Sequence, residues 1–214
     1  MALPGMIPGP AFAAAQVLPI LAPVVDFHDN PDSGSSTRTW ATRSAAGPFV
    51  FLCVTSAFSS GGFTSATFGG NACNLVAAVP TGSGAYKAAI FSIRGPQSGD
   101  VVITATGTQQ TPYLSVLSTS NVQDIAGRGT SQEDTGSEPG VMTVASPGPG
   151  GLRLFVFTST FQLSPVTWTN ATELVDTNQG SDRHAVAYSL GDDGSQVTAD
   201  QNGGDIGMIG EGFR

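Results

Sequence analysis

The run Phe49-Val-Phe-Leu-Cys-Val-Thr-Ser-Ala-Phe58 is apolar on both faces, and Leu152-Arg-Leu-Phe-Val-Phe-Thr-Ser-Thr-Phe161 repeats it at an offset of 103. Apolarity on both faces suits a central strand covered on one side by a packed sheet and on the other by a loop, an arm or another subunit. Further echoes follow in order: Thr67-Phe68 with Thr167-Trp168, Leu75-Val76 with Leu174-Val175, Phe91-Ser92-Ile93 with Tyr188-Ser189-Leu190, and Val102 with Val197. The offset drifts from 103 to 95, as loop trimming in a duplicated unit would produce. Coincidence among Ser/Thr/Val-rich strands is the competing explanation.

Around these echoes the chain reads as short strands separated by Gly, Pro, Asn or Asp clusters. The first half offers 49–58, 64–68, 73–79, 86–93, 100–106 and 112–118; the second offers 141–145, 152–160, 165–169, 172–176, 184–190 and 195–199. Val101-Val-Ile-Thr-Ala-Thr106 and Ala185-Val-Ala-Tyr-Ser-Leu190 alternate apolar and polar positions, which fits strands with one face on a core. The expected fold is all-β: an antiparallel, jelly-roll-like β-sandwich of two similar halves, about 47–120 and 141–200, behind an extended N-terminal arm. Neither half has enough strands to bury two faces alone. The domain reading is therefore an arm and polar loop over 1–36 and one sandwich over 37–214, with 121–140 as an intradomain loop.

Composition narrows the role. Gly 28, Pro 14, Ser 22 and Thr 22 favour turns and strands over helical bundles, and only 11% of residues are charged, less than half the usual share. Net charge is −8, and residues 101–214 carry all of the excess, with four basic and twelve acidic groups. An acidic surface with one lysine, Lys87, repels phosphate backbones and anionic lipid, so neither nucleic acid nor membrane is an expected partner. Cys53 and Cys73 sit in apolar surroundings and read as buried free thiols in preference to a disulfide.

The first 25 residues are uncharged and apolar. No Lys or Arg precedes Arg38, and prolines at 4, 8, 10, 19 and 23 interrupt any helix, although Ala11 to Leu18 could make two turns. This argues against a secretion signal and a membrane span. What remains is a proline-stiffened arm whose Phe12, Val17, Leu18, Ile20, Leu21, Val24 and Val25 are the candidate assembly contacts, laid on a neighbouring subunit or on the arm's own domain.

Motifs that carry chemistry are missing. The chain has no nucleophile elbow, zinc signature, Cys-x-x-Cys pair, P-loop or dinucleotide fingerprint, so no enzyme, cofactor or catalytic residue is expected. Its two histidines read as bland: His184, in Asp182-Arg-His184, as a surface residue beside charges, and His28 as part of a solvated turn. Asp26, Asp29, Asn30 and Asp32, and Asp192 with Asp193, read as turn formers and not as calcium ligands, for they lack the spacing of a calcium loop. Aromatic side chains beside Asp or Asn are what a glycan-binding sandwich presents, and Trp40, Trp168, Tyr113 and Tyr188 are the candidates. Trp168 aligns with Phe68 and reads as core; Trp40 has no counterpart and is the candidate contact surface. Asn170-Ala-Thr172 matches an N-glycosylation sequon, which means nothing without a secretory route.

The succession of an apolar strand ending at Phe58, then Ser65-Ala-Thr-Phe-Gly-Gly70, Leu75-Val76, Tyr86-Lys-Ala-Ala-Ile-Phe-Ser-Ile93 and Gly99-Asp-Val-Val-Ile-Thr104 resembles β-sandwich surface proteins of tailed bacteriophages and gene-transfer particles. The resemblance spans about residues 47–200 and rests on strands and glycines. It implies a noncatalytic virion protein on the particle surface: a capsid-decoration or head-spike subunit, or a tail or fibre component. Its partners would be further copies of itself, with a homotrimer implied, and other virion proteins such as the major capsid or tail protein. The alternative is a receptor- or glycan-binding module of a tail fibre or a bacterial surface protein, with a host-surface glycan as partner.

Overall fold

The computed structural model describes residues 18–30, 34–80, 84–123, 132–137, 139–160, 164–179, 182–191, 195–201 and 205–214. Phe12, Val17, Asp32, Asp192, Asp193 and most of the Ala11–Leu18 stretch lie outside them. Among the described residues the regular elements are all strands. The first group comprises β1 (Val24–Asp29), β2 (Ser35–Ala45), β3 (Phe49–Ala57), β4 (Phe63–Phe68), β5 (Asn71–Ala72), β6 (Asn74–Ala78), β7 (Tyr86–Arg94), β8 (Gln97–Gln109) and β9 (Tyr113–Thr119). The second comprises β10 (Gln132–Ser137), β11 (Gly140–Met142), β12 (Leu152–Ser159), β13 (Thr167–Thr169), β14 (Thr172–Gln179), β15 (Asp182–Leu190), β16 (Val197–Asp200) and β17 (Asp205–Phe213).

These strands form four antiparallel sheets. Two are inner sheets, ordered β1-β9-β3-β7-β6 and β10-β17-β12-β15-β14; two are outer, ordered β2-β8-β4-β5 and β11-β16-β13. Side-chain alternation fixes the stacking. Phe49, Phe51 and Cys53 of β3 meet Leu152, Leu154 and Val156 of β12 in a central core between the inner sheets. The opposite faces turn outward: Val50, Leu52 and Val54 pack beneath the first outer sheet, and Phe155 and Phe157 beneath the second. Every residue of β3 and of β12 is buried, so the cover expected on the second face of each strand is a sheet of the same chain.

The two groups correspond in strand order, with β3 in the place of β12, β7 of β15, β9 of β17 and β6 of β14. Their register corrects the sequence alignment by one residue in two places and by three in a third. Leu52 pairs with Phe91 and Phe155 with Ala187, so Phe91 matches Ala187, not Tyr188. Phe91 belongs to the first outer core, whereas Tyr188 packs against the central one. Likewise the residue left unpaired by the bulge in β6 is Val76 and in β14 is Leu174, so these two match each other. Val102 pairs with Thr67 and Asp200 with Thr167, so Val102 matches Asp200, three residues beyond Val197. A one-residue slip exchanges the faces of a strand, and degenerate Ser/Val/Ala sequences do not reveal it.

Five strands, among them the two-residue β5, arise where loops or irregular chain were expected. The polar segment after the arm forms β1 and the start of β2, and the stretch 121–140 contains β10. Strand β17 was hidden by its glycines, which are there for contact between sheets: a Cβ on Gly207 would lie 2.3 Å from the backbone oxygen of Tyr86 in β7. The inner sheets touch backbone to backbone at that point. Gly207→Ala is expected to lower unfolding free energy by about 1–3 kcal/mol, as overpacking does, measured by urea denaturation; an unchanged midpoint would refute the close approach.

Candidate functional site

Both β3 and β12 end in a Thr-Ser pair, and the polar end of the central core collects there. Thr55 lies between Ala88 and Tyr113 in its sheet, and Thr158 between His184 and Gly207 in the other. Where Ala88 and Gly207 leave room for backbone contact, His184 and Tyr113 fill the gap with rings stacked 4.7 Å apart. His184 is only 2% exposed, which corrects the surface reading of this residue. Its Nδ1 lies 2.8 Å from Thr55 Oγ1 and its Nε2 2.8 Å from Ser115 Oγ, so each ring nitrogen meets a hydroxyl of the facing sheet. The Tyr113 hydroxyl donates to Thr177 Oγ1 at 3.3 Å and stands 3.3 Å from Nδ1 of His28. His28 is thus an exposed residue of strand β1 where a turn was expected. Beside them, Asp182 accepts from the hydroxyls of Thr111 and Tyr86, and Arg183 pairs with Asp176.

A Ser–His contact at this distance has the spacing of a nucleophile and its base. Its surroundings are those of a structural pair. Ser115 is fully buried, Nδ1 of the imidazole faces a threonine where a triad would place a carboxylate, and the gap lined by Thr55, Tyr113 and Thr158 has no volume for a water molecule. Burial lowers the pKa of His184 to about 3, with a further push from the charge of His28. A neutral imidazole satisfies the two hydroxyls with one N–H and one lone pair; a charged one would have two donors and no water.

Trp40, the expected contact residue, is 2% exposed and belongs to the core beneath the first outer sheet. Its indole N–H donates to the Asp29 carbonyl at 3.2 Å. Strand β2 hides this burial, for only Trp40 and Ala45 are buried among its eleven mostly polar residues. Trp168 is half-buried against Phe155 and Phe157, Tyr113 is buried, and Tyr188 packs on the central core, so none of the four aromatics forms an exposed platform. The described acidic residues of that first cluster lie in β1 and are engaged: Asp26 accepts from Ser118, and Asp29 pairs with Arg43. Both cysteines are free thiols, Cys53 buried and Cys73 half-buried.

Two surface features remain. The first is an open polar cavity of about 410 Å³ lined by Arg153, Asn170, Ala171, Thr172, Ser189 and Leu190. Arg153 stands where the first half has Val50; its Nε donates to Ser189 Oγ and its Nη1 to the Ser195 carbonyl, both at 2.8 Å. An arginine within an otherwise apolar strand was the visible signal for it. The second is the segment 18–25, which is strapped to the body. Ile20 N–H donates to Gly150 O at 2.8 Å, Thr119 Oγ1 donates to Leu21 O at 2.5 Å, and Asn121 Nδ2 donates to Pro19 O at 2.8 Å. Gly150, with φ +73°, lies so near that its Cβ would stand 3.0 Å from Pro19 Cα.

The strap divides the candidate assembly residues. Ile20 is buried and Val25, half-buried, packs against the central core, so both contact the chain's own body. Leu18, Leu21 and Val24 face out, at 61%, 56% and 66% exposure. Grooves flank them: one of about 220 Å³ lined by Leu21, Ala22, Val24, Gly47, Pro48, Ser118, Thr119 and Ser120, and one of about 230 Å³ beside Leu18 and Val122. Comparison of the chain with known protein families, curated proteins and solved structures found no match in any of the three.

Two measurements check this geometry. A histidine whose folded pKa is depressed stabilises the fold above its unfolded pKa, and that contribution is lost as pH falls below about 6.5. Unfolding free energy is expected to drop by about 2 kcal/mol between pH 7 and 5, and His184→Gln to flatten that slope; an identical slope in the variant would contradict it. Trp40→Ala is expected to cost about 3–5 kcal/mol as a core truncation, whereas a surface aromatic would leave the melting curve in place.

Proposed function

We propose that the chain is a noncatalytic structural protein of a virion surface, a capsid-decoration or head-spike subunit that assembles through the outer edge of its N-terminal strap. The observation that carries this reading is the row Leu18, Leu21 and Val24, apolar and exposed, on a segment pinned to β9 and to the turn before β12. A surface element held rigidly and left apolar is what a permanent assembly covers. The wrapping order supports the structural side of the proposal. Strands β1-β9-β3-β7 lie over β2-β8-β4-β5, and β10-β17-β12-β15 lie over β11-β16-β13, which reads as two jelly rolls stacked through their inner sheets. Placement on a phage or gene-transfer particle rests on the resemblance of residues 47–200, as do the homotrimer and the capsid or tail partner. The sealed Ser115–His184 contact and the uncharged strap fit the same role.

The Arg153 cavity favours the second reading, a glycan-binding module, because it gathers a guanidinium, an amide and hydroxyls in an open site. One experiment separates the two. An antiserum against the chain is expected to label the surface of particles purified from the native host. Unlabelled particles, with retention of the protein on a glycan array that Thr172→Ala abolishes, would replace the first reading by the second.

A further inference from the structure

Burial along the strap has a period of three: Ile20 and Pro23 are buried, while Leu18, Leu21 and Val24 are exposed. Three residues per turn is the period of an extended polyproline-type segment, and Pro19 and Pro23 supply the stiffness for one. The strap thus presents a straight apolar ridge to solvent, and its side chains Leu21 and Val24 are also a wall of the 220 Å³ groove. That groove suits an apolar occupant. No charged side chain lines it, and the hydroxyls of Ser118 and Thr119 are already committed to Asp26 and to the Leu21 carbonyl.

The three ridge side chains alone are too small for a standing interface, which needs about 1,000 Å² or more of buried surface. The missing area is available in the sequence. Seventeen residues precede Leu18, none of them charged, and they include Phe12 and Val17. They join the body beside this groove. We infer that the groove beside Leu21 and Val24 receives the uncharged N-terminal segment, residues 1–17, of a second copy of this chain. An arm and its receptor groove side by side on each copy let an exchange close symmetrically, and the absence of charge in both removes the repulsion that a net −8 would otherwise impose at close approach. The inference rests on the assembly reading above and names its partner.

The test is sedimentation of the full chain, of residues 18–214, and of the double variant Leu21→Asp/Val24→Asp. The full chain is expected to self-associate, and each altered chain to be monomeric with an unchanged circular dichroism spectrum. The truncated chain keeps the groove without the arm, and the double variant keeps the arm without the groove, so a mixture of the two is expected to form a heterodimer. A synthetic peptide of residues 1–17 is expected to bind the truncated chain and not the truncated double variant. A full chain that stays monomeric at every concentration, a truncated chain that still associates, or a mixture without heterodimer would overturn the inference. A monomeric chain that labels particles overturns only this inference; a self-associating chain absent from particles overturns only the virion reading.

Discussion

Strands β3 and β12 have no polar face, and most of the architecture follows from covering them. Each contributes alternate side chains to two cores, one shared with the other inner sheet and one beneath an outer sheet. A two-layer sandwich would have left Val50, Leu52 and Val54, or Phe155 and Phe157, against water, at a cost of about 1.5–3 kcal/mol for each large side chain. Two outer sheets remove that cost within one chain. They also explain how 11% charged residues suffice, because much of the apolar sequence lies in layers that never reach the surface.

The gap between the inner sheets is asymmetric along its length. At the apolar end Phe51 and Phe213 meet with ring centroids 4.6 Å apart, and Phe49 extends the cluster. At the hydroxyl end the neighbours of Thr55 and Thr158 differ: Tyr113 and His184 form a bulky pair, Gly207 and Ala88 a small one. The bulky pair brings buried polar atoms that need partners, and Thr55, Ser115 and Thr177 supply them. The small pair brings the backbones together. A core that is apolar at one end and hydrogen-bonded at the other specifies a single register between sheets, because sliding either sheet would leave His184 without its hydroxyls.

The strands that pack by side chains were legible in the sequence, since β3, β7, β9, β12 and β15 alternate large apolar residues at strand length. Those that pack by other means were not. In β17 the close approaches are made by Gly207 and Gly210, which look like turn residues; in β2 the edge position leaves nine of eleven residues polar or exposed and conceals Trp40. Burial of His184 was hidden because its partners, Thr55 and Ser115, come from 129 and 69 residues away. The bulges at Val76 and Leu174 carry no signal that separates them from their neighbours, so the internal alignment slipped there.

The strap was read as a single apolar arm, and its division into a buried and an exposed edge depended on the three-residue period set by Pro19 and Pro23. Had the segment been a β-strand, alternate residues would have faced the body, and Leu18, Ile20 and Val24 would have shared one edge. With a period of three, Ile20 and Pro23 anchor the chain while Leu18, Leu21 and Val24 stay outside. Anchoring by Ile20, whose N–H donates to the Gly150 carbonyl, and by the Thr119 hydroxyl, which donates to the Leu21 carbonyl, orders the ridge in advance, so any partner that covered it would lose little conformational entropy in doing so. The same anchors tie β9 to the turn before β12, and the exposed apolar ridge is thereby held by both groups of strands at once.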